Sequence, residues 1–231
     1  MRSSSTAKRS PAEARAVRDL DAIKKFIAPL APPVYAFEAS IGSTPFRILI
    51  SVLLSARTQD AVTGKAASRL FAAAATPQKM ARLSRAEVER RIYPVGFYRT
   101  KAEHILKICA ALNRGGKFPA TLDGLLELPG IGRKSANLVL ALAFARAAIA
   151  VDTHVFRIAR RLGWAKGRTP AEVEEELQCL FPRRRWAQVN QVLVGFGQTV
   201  CRPIGPKCPV CVLKKSCPSS SLKLQHKRLN L

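Results

Sequence analysis

The chain has 231 residues, 48% of them hydrophobic, enough to pack one domain or two small ones. Its 39 Lys and Arg against 15 Asp and Glu leave a net charge of +24, which points to a polyanionic partner, nucleic acid ahead of an anionic membrane surface. No apolar run approaches the roughly 20 uncharged residues that span a bilayer, and no apolar segment follows the basic start as it does in a secretory signal; no membrane association is expected.

Residues 1–10 are rich in Ser, Arg and Lys without an acid, and read as a disordered basic tail, with an organelle transit segment as the alternative. Helix starts are then well marked. Ser10-Pro11-Ala12-Glu13 and Thr169-Pro170-Ala171-Glu172 each give an N-cap, a proline at N1 and a glutamate at N3, the capping-box pattern. Ser84-Arg85-Ala86-Glu87 is a third box, and Thr44-Pro45 and Thr76-Pro77 supply cap plus proline. Ala31-Pro32-Pro33 ends the first helix and marks a boundary. Apolar residues between these starts recur three and four apart, as at Ile105, Ile108, Cys109 and Leu112, and at Val173, Leu177 and Leu180. No convincing alternating strand is present. The expected class is all-α, with ten or more short helices.

The stretch from Leu128 to His154 carries the chemistry. Pro129-Gly130-Ile131-Gly132 predicts a tight turn between a short apolar segment and a second helix whose apolar positions are Ala136, Val139, Leu140, Ala143 and Phe144. Glycine accepts positive φ, and without a side chain it lets backbone N–H groups face a phosphate closely. The pattern is a helix-hairpin-helix, over about residues 122–146, which grips a nucleic-acid backbone without reading sequence. Lys134 falls in the first turn of the second helix. A cation there opposes the positive helix terminus, the neutral amine is favoured, and a neutral lysine is a nucleophile. Taken singly, Lys134 also reads as a surface lysine beside phosphate, and Asp152 as an ordinary N-cap.

Six cysteines are present. Cys109 and Cys179 stand alone in helical patterns and read as buried thiols. Cys201, Cys208, Cys211 and Cys217 follow C-x6-C-x2-C-x5-C. Such crowding argues for a metal centre in a reducing compartment over a disulfide framework. The chemistry of four thiolates suits a tetrahedral zinc or a [4Fe–4S] cube equally.

LPGIGRKSAN followed by VDTH resembles the endonuclease III group of DNA glycosylases, in the helix-hairpin-helix superfamily, and the likeness runs from about Thr44 to Cys217. It implies a six-helix barrel at about residues 36–147 and a second lobe from residues 11–35 plus 148–217, with residues 218–231 a flexible basic tail. It implies Lys134 and Asp152 as the catalytic pair in an interlobe cleft, and a [4Fe–4S] cluster on the four cysteines, whose spacing matches the family's. It further implies base excision repair: a bifunctional glycosylase and abasic-site lyase that removes oxidised pyrimidines from double-stranded DNA. Two loops, Leu54 to Asp60 and Pro94 to Tyr98, resemble the family's wedge loops, with Arg57 and Phe97 at the positions that enter the helix. Glutamine is more usual at the first of these. The competing reading makes Phe97 and Tyr98 core residues.

Phosphate contacts are expected from Gly130, Ile131, Gly132, Arg133, His154, Arg202 and Lys207. His154 could instead orient Asp152 or be structural. A monomer in the cytoplasm, associated with the nucleoid, is expected. A mismatch thymine or adenine glycosylase of the same superfamily and a non-enzymatic hairpin DNA binder are the alternatives. The adenine glycosylases usually lack a lysine at the position of Lys134.

Overall fold

A computed structural model of the chain describes residues 10–115 and 117–220. Most of the two tails falls on residues 1–9 and 221–231, outside the described residues. Among the described residues the chain is all-α, as expected, with no strand. The helices are α1 (Pro11–Ile27), α2 (Pro33–Ser40), α3 (Pro45–Ser55), α4 (Asp60–Ala73), α5 (Pro77–Met80) and α6 (Arg85–Ile92). They continue as α7 (Tyr98–Asn113), α8 (Leu122–Leu126), α9 (Arg133–Phe144), α10 (Thr153–Leu162), α11 (Pro170–Leu180) and α12 (Trp186–Thr199). No described helix is long and apolar enough to cross a membrane.

The predicted starts hold at the atomic level. Ser10, Ser84 and Thr169 each form a complete capping box, and Thr44 and Thr76 accept a backbone N–H with their side chains. Each cap satisfies an amide that the first helical turn leaves without a partner.

The chain divides into two compact units, Ala31–Ala150 and Met1–Leu30 with Val151–Leu231. The first boundary falls before the two prolines because α2, which Pro33 opens, packs on α4. Within residues 31–150, α3 is central: Phe46 and Ile48 through Leu54 are all buried, and α3 packs against α4, α7 and α9. A helix apolar all round must be enclosed by others. One continuous core runs from Phe37 to Ala150 through this unit. In the other unit, α1 turns Ala16, Val17, Leu20, Ile23 and Ile27 inward and packs on α12, which also receives α10. Arg15 Nη2 donates to Ser216 O at 2.9 Å, and Arg185 Nη2 meets Asp21 Oδ2 at 2.6 Å. Arg185 is therefore committed to α1.

The two solitary cysteines differ. Cys109 is buried in α7 as expected, and burial pushes its thiol up to about 12. Cys179 is exposed near the end of α11, because the buried face of that helix passes through Val173, Glu174 and Leu177 and leaves it on the other side.

Candidate functional site

The hairpin is built from its buried side outward. Leu125, Leu128 and Ile131 are buried, and Ile131 N donates to Leu128 O at 3.1 Å, which closes the turn. Gly130 sits at φ +79°, a left-handed conformation that favours glycine. A Cβ there would also lie 2.3 Å from His104 Nδ1, so the His104 ring of α7 packs directly on the turn. Gly132 is different: its φ is negative, nothing lies within 4 Å of its Cβ position, and it is the N-cap of α9 without a side-chain acceptor. Its value is the open approach to the first amides of α9. No acidic residue occupies that first turn, which holds Arg133, exposed, and Lys134, half-buried. On the inner face of α9, Asn137 is buried and its Nδ2 donates to Ile149 O at 3.1 Å. That bond fixes the segment after the helix.

Two loops of the same unit meet beside α7. Arg57 and Phe97 both adopt left-handed backbone, at φ +54° and +58°, and the Arg57 guanidinium lies 5.5 Å from the Phe97 ring centroid. Phe97 is 61% exposed, so it is no part of the core, while Tyr98 is half-buried against it. The second loop backs onto the first at Gly96, where any Cβ would strike Arg57 O at 2.8 Å.

Asp152, in the other unit, is the N-cap of α10 and accepts from Val155 N at 2.8 Å through Oδ1. His154 Nδ1 lies 3.1 Å from Arg157 Nη2, and a Cβ on Gly197 would lie 2.3 Å from the same ring atom. His154 is thus packed between α10 and α12, on the side of the cysteine loop, since Arg157 Nη2 also donates to Cys201 O at 3.0 Å.

Cys201, Cys208, Cys211 and Cys217 line one cavity of about 350 Å³ with Phe196, Val200, Leu162 and Arg161. Arg161 donates to Arg202 O at 2.7 Å, to Pro203 O at 3.0 Å and to Cys201 Sγ at 3.5 Å, and Leu213 N donates to Cys211 Sγ at 3.4 Å. Burial raises the Cys211 thiol above its ordinary value, against the Leu213 N–H, and the three neighbouring thiols add to the rise. Folding thus gathers four thiols at a cost that thiolate ligation of a metal would offset. Among the described residues no three His, Cys, Asp or Glu side chains converge closely enough to share one ion. The side chains of Arg202 and Lys207 are exposed on this loop.

Comparison with known proteins meets this geometry. Residues 50–183 match the model of the HhH-GPD superfamily base excision DNA repair protein. Endonuclease III of Thermotoga maritima is 47% identical over 175 residues, 75% of this chain and 82% of that protein. Mouse endonuclease III-like protein 1 is 41% identical over 191 residues, 80% of this chain but only 64% of the mouse protein. A solved structure of a trapped endonuclease III–DNA covalent intermediate superposes with a TM-score of 0.81 at 34% identity, covering 92% of this chain and 98% of the other. The chain belongs to the HhH-GPD superfamily of base excision DNA repair proteins. Its endonuclease III relatives make it a DNA glycosylase with abasic-site lyase activity.

Within an HhH-GPD protein the hairpin, α9 and the wedge-like loops belong to residues 31–150, whereas Asp152, His154 and the cysteines belong to the other unit. Some residues that shape these features were not found by reading the sequence. Lys101, His104 and Asn137 act on segments remote in sequence, and Arg157 and Arg161 support the cysteine loop from α10. Only Lys101 carried a hint, as a cation on the apolar side of α7.

Proposed function

We propose that the chain excises oxidised pyrimidines from double-stranded DNA, acting as a monomer, and then cuts the strand at the abasic site. The target nucleotide must leave the stack before any side chain can reach its C1′, at a cost of a few kcal/mol that is smallest for damaged bases. Gly130, Ile131, Gly132 and Arg133 present α9's first amides to a phosphate, with His154, Arg202 and Lys207 as further contacts. Lys134 Nζ attacks C1′ through its lone pair, the N-glycosidic bond breaks, and the base departs with the electron pair. Asp152 stabilises the positive charge that builds on the sugar and helps remove the proton from the lysine. The C1′–O4′ bond then opens, O4′ takes a proton to become a hydroxyl, and the resulting Schiff base acidifies the C2′ hydrogen. Loss of that proton expels the 3′ phosphate by β-elimination, and hydrolysis returns the lysine.

The observation that carries this reading is Lys134 itself: a half-buried lysine in the first turn after a glycine hairpin, with no acid beside it in that turn. The likeness to an endonuclease III caught in a covalent DNA intermediate supports it.

The four cysteines would hold a [4Fe–4S] cluster. Their C-x6-C-x2-C-x5-C spacing matches that of the endonuclease III family's cluster, and N–H donors face two of the sulfurs. When bound, the cluster would staple the loop that carries Arg202 and Lys207; breaking a glycosidic bond requires no electron. In the same reading residues 36–147 form the six-helix barrel, and the protein works in the cytoplasm, on the nucleoid.

The test is borohydride trapping. Duplex containing thymine glycol or an abasic site should yield a covalent adduct with wild-type protein and none with Lys134→Ala. Asp152→Asn should slow adduct formation by roughly 10²- to 10⁴-fold, the usual scale for losing a positioned acid or base. Folded wild-type protein that forms no adduct with either duplex would overturn the reading.

A further inference from the structure

Helix α7 touches each of the features assigned to DNA in its unit: Phe97 caps its start, and His104 lies on the hairpin at Gly130. Between them, one turn in from the start, lies Lys101, only 6% exposed. Its Nζ donates to Leu54 O at 2.8 Å, to Ala56 O at 2.6 Å and to Thr58 Oγ1 at 3.4 Å. An ammonium has three hydrogens, and all three are used. Leu54 and Ala56 end α3, so the charge sits on carbonyls that the helix leaves unpaired, at the negative end of its dipole. Thr58 Oγ1 also accepts from Gly96 N at 3.1 Å, which links the second loop to the first.

Burying a lysine is unfavourable, and desolvation pulls this one down from 10.5 to about 8. An apolar side chain of similar volume would fill the space without that penalty. What an apolar residue would not supply is a hold on Arg57 and Phe97, whose left-handed backbones relax unless their surroundings fix them.

We propose that Lys101 is a positioning residue for duplex opening: its ammonium clamps residues 54–58 to Gly96, so that Arg57 and Phe97 enter the helix as one preset wedge. The proposal rests on the glycosylase reading and on those two residues being the wedge. Lys101 does not touch substrate.

Three measurements on Lys101→Met, Lys101→Gln and wild type separate the possibilities. The first is single-turnover excision of thymine glycol from duplex. The second is the fluorescence rise of 2-aminopurine placed opposite the lesion. The third is borohydride trapping on a single-stranded abasic oligonucleotide, which has no duplex to open. Lys101→Met should lose about 10- to 100-fold in duplex excision, the scale of a roughly 1 Å misplacement, with a diminished fluorescence rise and single-strand trapping within about twofold. Lys101→Gln, which keeps two donors, should recover part of the loss.

Unchanged excision and fluorescence in Lys101→Met would overturn the clamp. So would an equal loss on duplex and single strand, which marks a merely structural role. If Lys101→Met does not fold, Thr58→Val breaks the link to Gly96 while leaving the amine its two carbonyl acceptors, and should reproduce the fluorescence defect in milder form; an unaltered fluorescence rise there also rejects the clamp. Wild-type protein that neither excises nor traps would sink the glycosylase reading, and the fluorescence rise would then decide the clamp alone.

Discussion

The unit of residues 31–150 and the cysteine loop of residues 201–217 keep their shape by opposite means. The first has a continuous apolar core in which Leu49, Ile50, Leu54, Leu70, Met80, Ile92, Ile105 and Ile108 are fully enclosed. In the second, Leu213 is the only buried side chain, and Ile204, Val210 and Val212 are turned to solvent. The loop is tied instead through carbonyls, Arg202 O and Pro203 O to Arg161 and Cys201 O to Arg157, and through four thiols around one cavity. A short segment that buries so little cannot offset its own ordering entropy. The wedge-like loops and hairpin stand on a scaffold that packs itself, while Arg202 and Lys207 stand on one that, in the proposed reading, depends on a metal centre.

The largest effect should come from breaking that centre. Structural metal sites contribute on the order of 10 kcal/mol to the segments they fold, more than any one side chain in the chain could. Cys211→Ser is expected to abolish the visible absorption of an iron–sulfur protein and to open residues 201–217 to limited proteolysis. Backbone amides within residues 31–150 should keep their exchange protection. A colourless variant whose loop still resists protease would show that the carbonyl ties alone are enough.

Next in size is a cavity in the self-packed unit. Leu49 is fully buried in α3, and Leu49→Ala should cost about 2–5 kcal/mol, read as a drop in denaturation midpoint and in exchange protection across residues 31–150. The visible absorption should remain. If the colour went with the core, the two regions would not be held independently.

How much of this was legible in the sequence follows the range of the interactions. Ser84, Thr169 and Ser10 were readable because a cap is satisfied three residues on, and Gly130 because a tight turn demands its φ. The spacing of the four cysteines was readable because the loop that joins them is short. Lys101 was not, since its acceptors lie 47 and 45 residues away. Nor was His104, which meets Gly130 only because α7 and the turn pack together. Phe97 stood open between wedge and core, because an aromatic beside a glycine suits either, and only its exposure decides against the core. Cys179 was misplaced because helical spacing assigns a residue to a face only when the helix's buried side is known, and α11 turns that residue outward.

The smallest effects give the sharpest comparison, because the same device occurs in both units. Ser84 boxes with Glu87 in α6, and Thr169 with Glu172 in α11. Ser84→Ala and Thr169→Ala should each cost about 1 kcal/mol. If each unit stands on its own packing, the first should lower exchange protection only within residues 31–150 and the second only around α11. The two glutamates add a pH signature. Hydrogen bonds from Ser84 hold Glu87 below its usual range, and those from the Arg168 and Thr169 backbone hold Glu172 below its own. A carboxylate with a depressed folded value contributes stability that is complete above its unfolded value, about 4.3, and is lost as pH falls through the folded one. The backbone donors survive in both alanine variants, so the signature belongs to the carboxylates: acidification below about pH 4 should narrow the gap between wild type and Glu87→Gln or Glu172→Gln. A gap that stayed constant down to full protonation would mean that the carboxylate charge adds nothing to either cap.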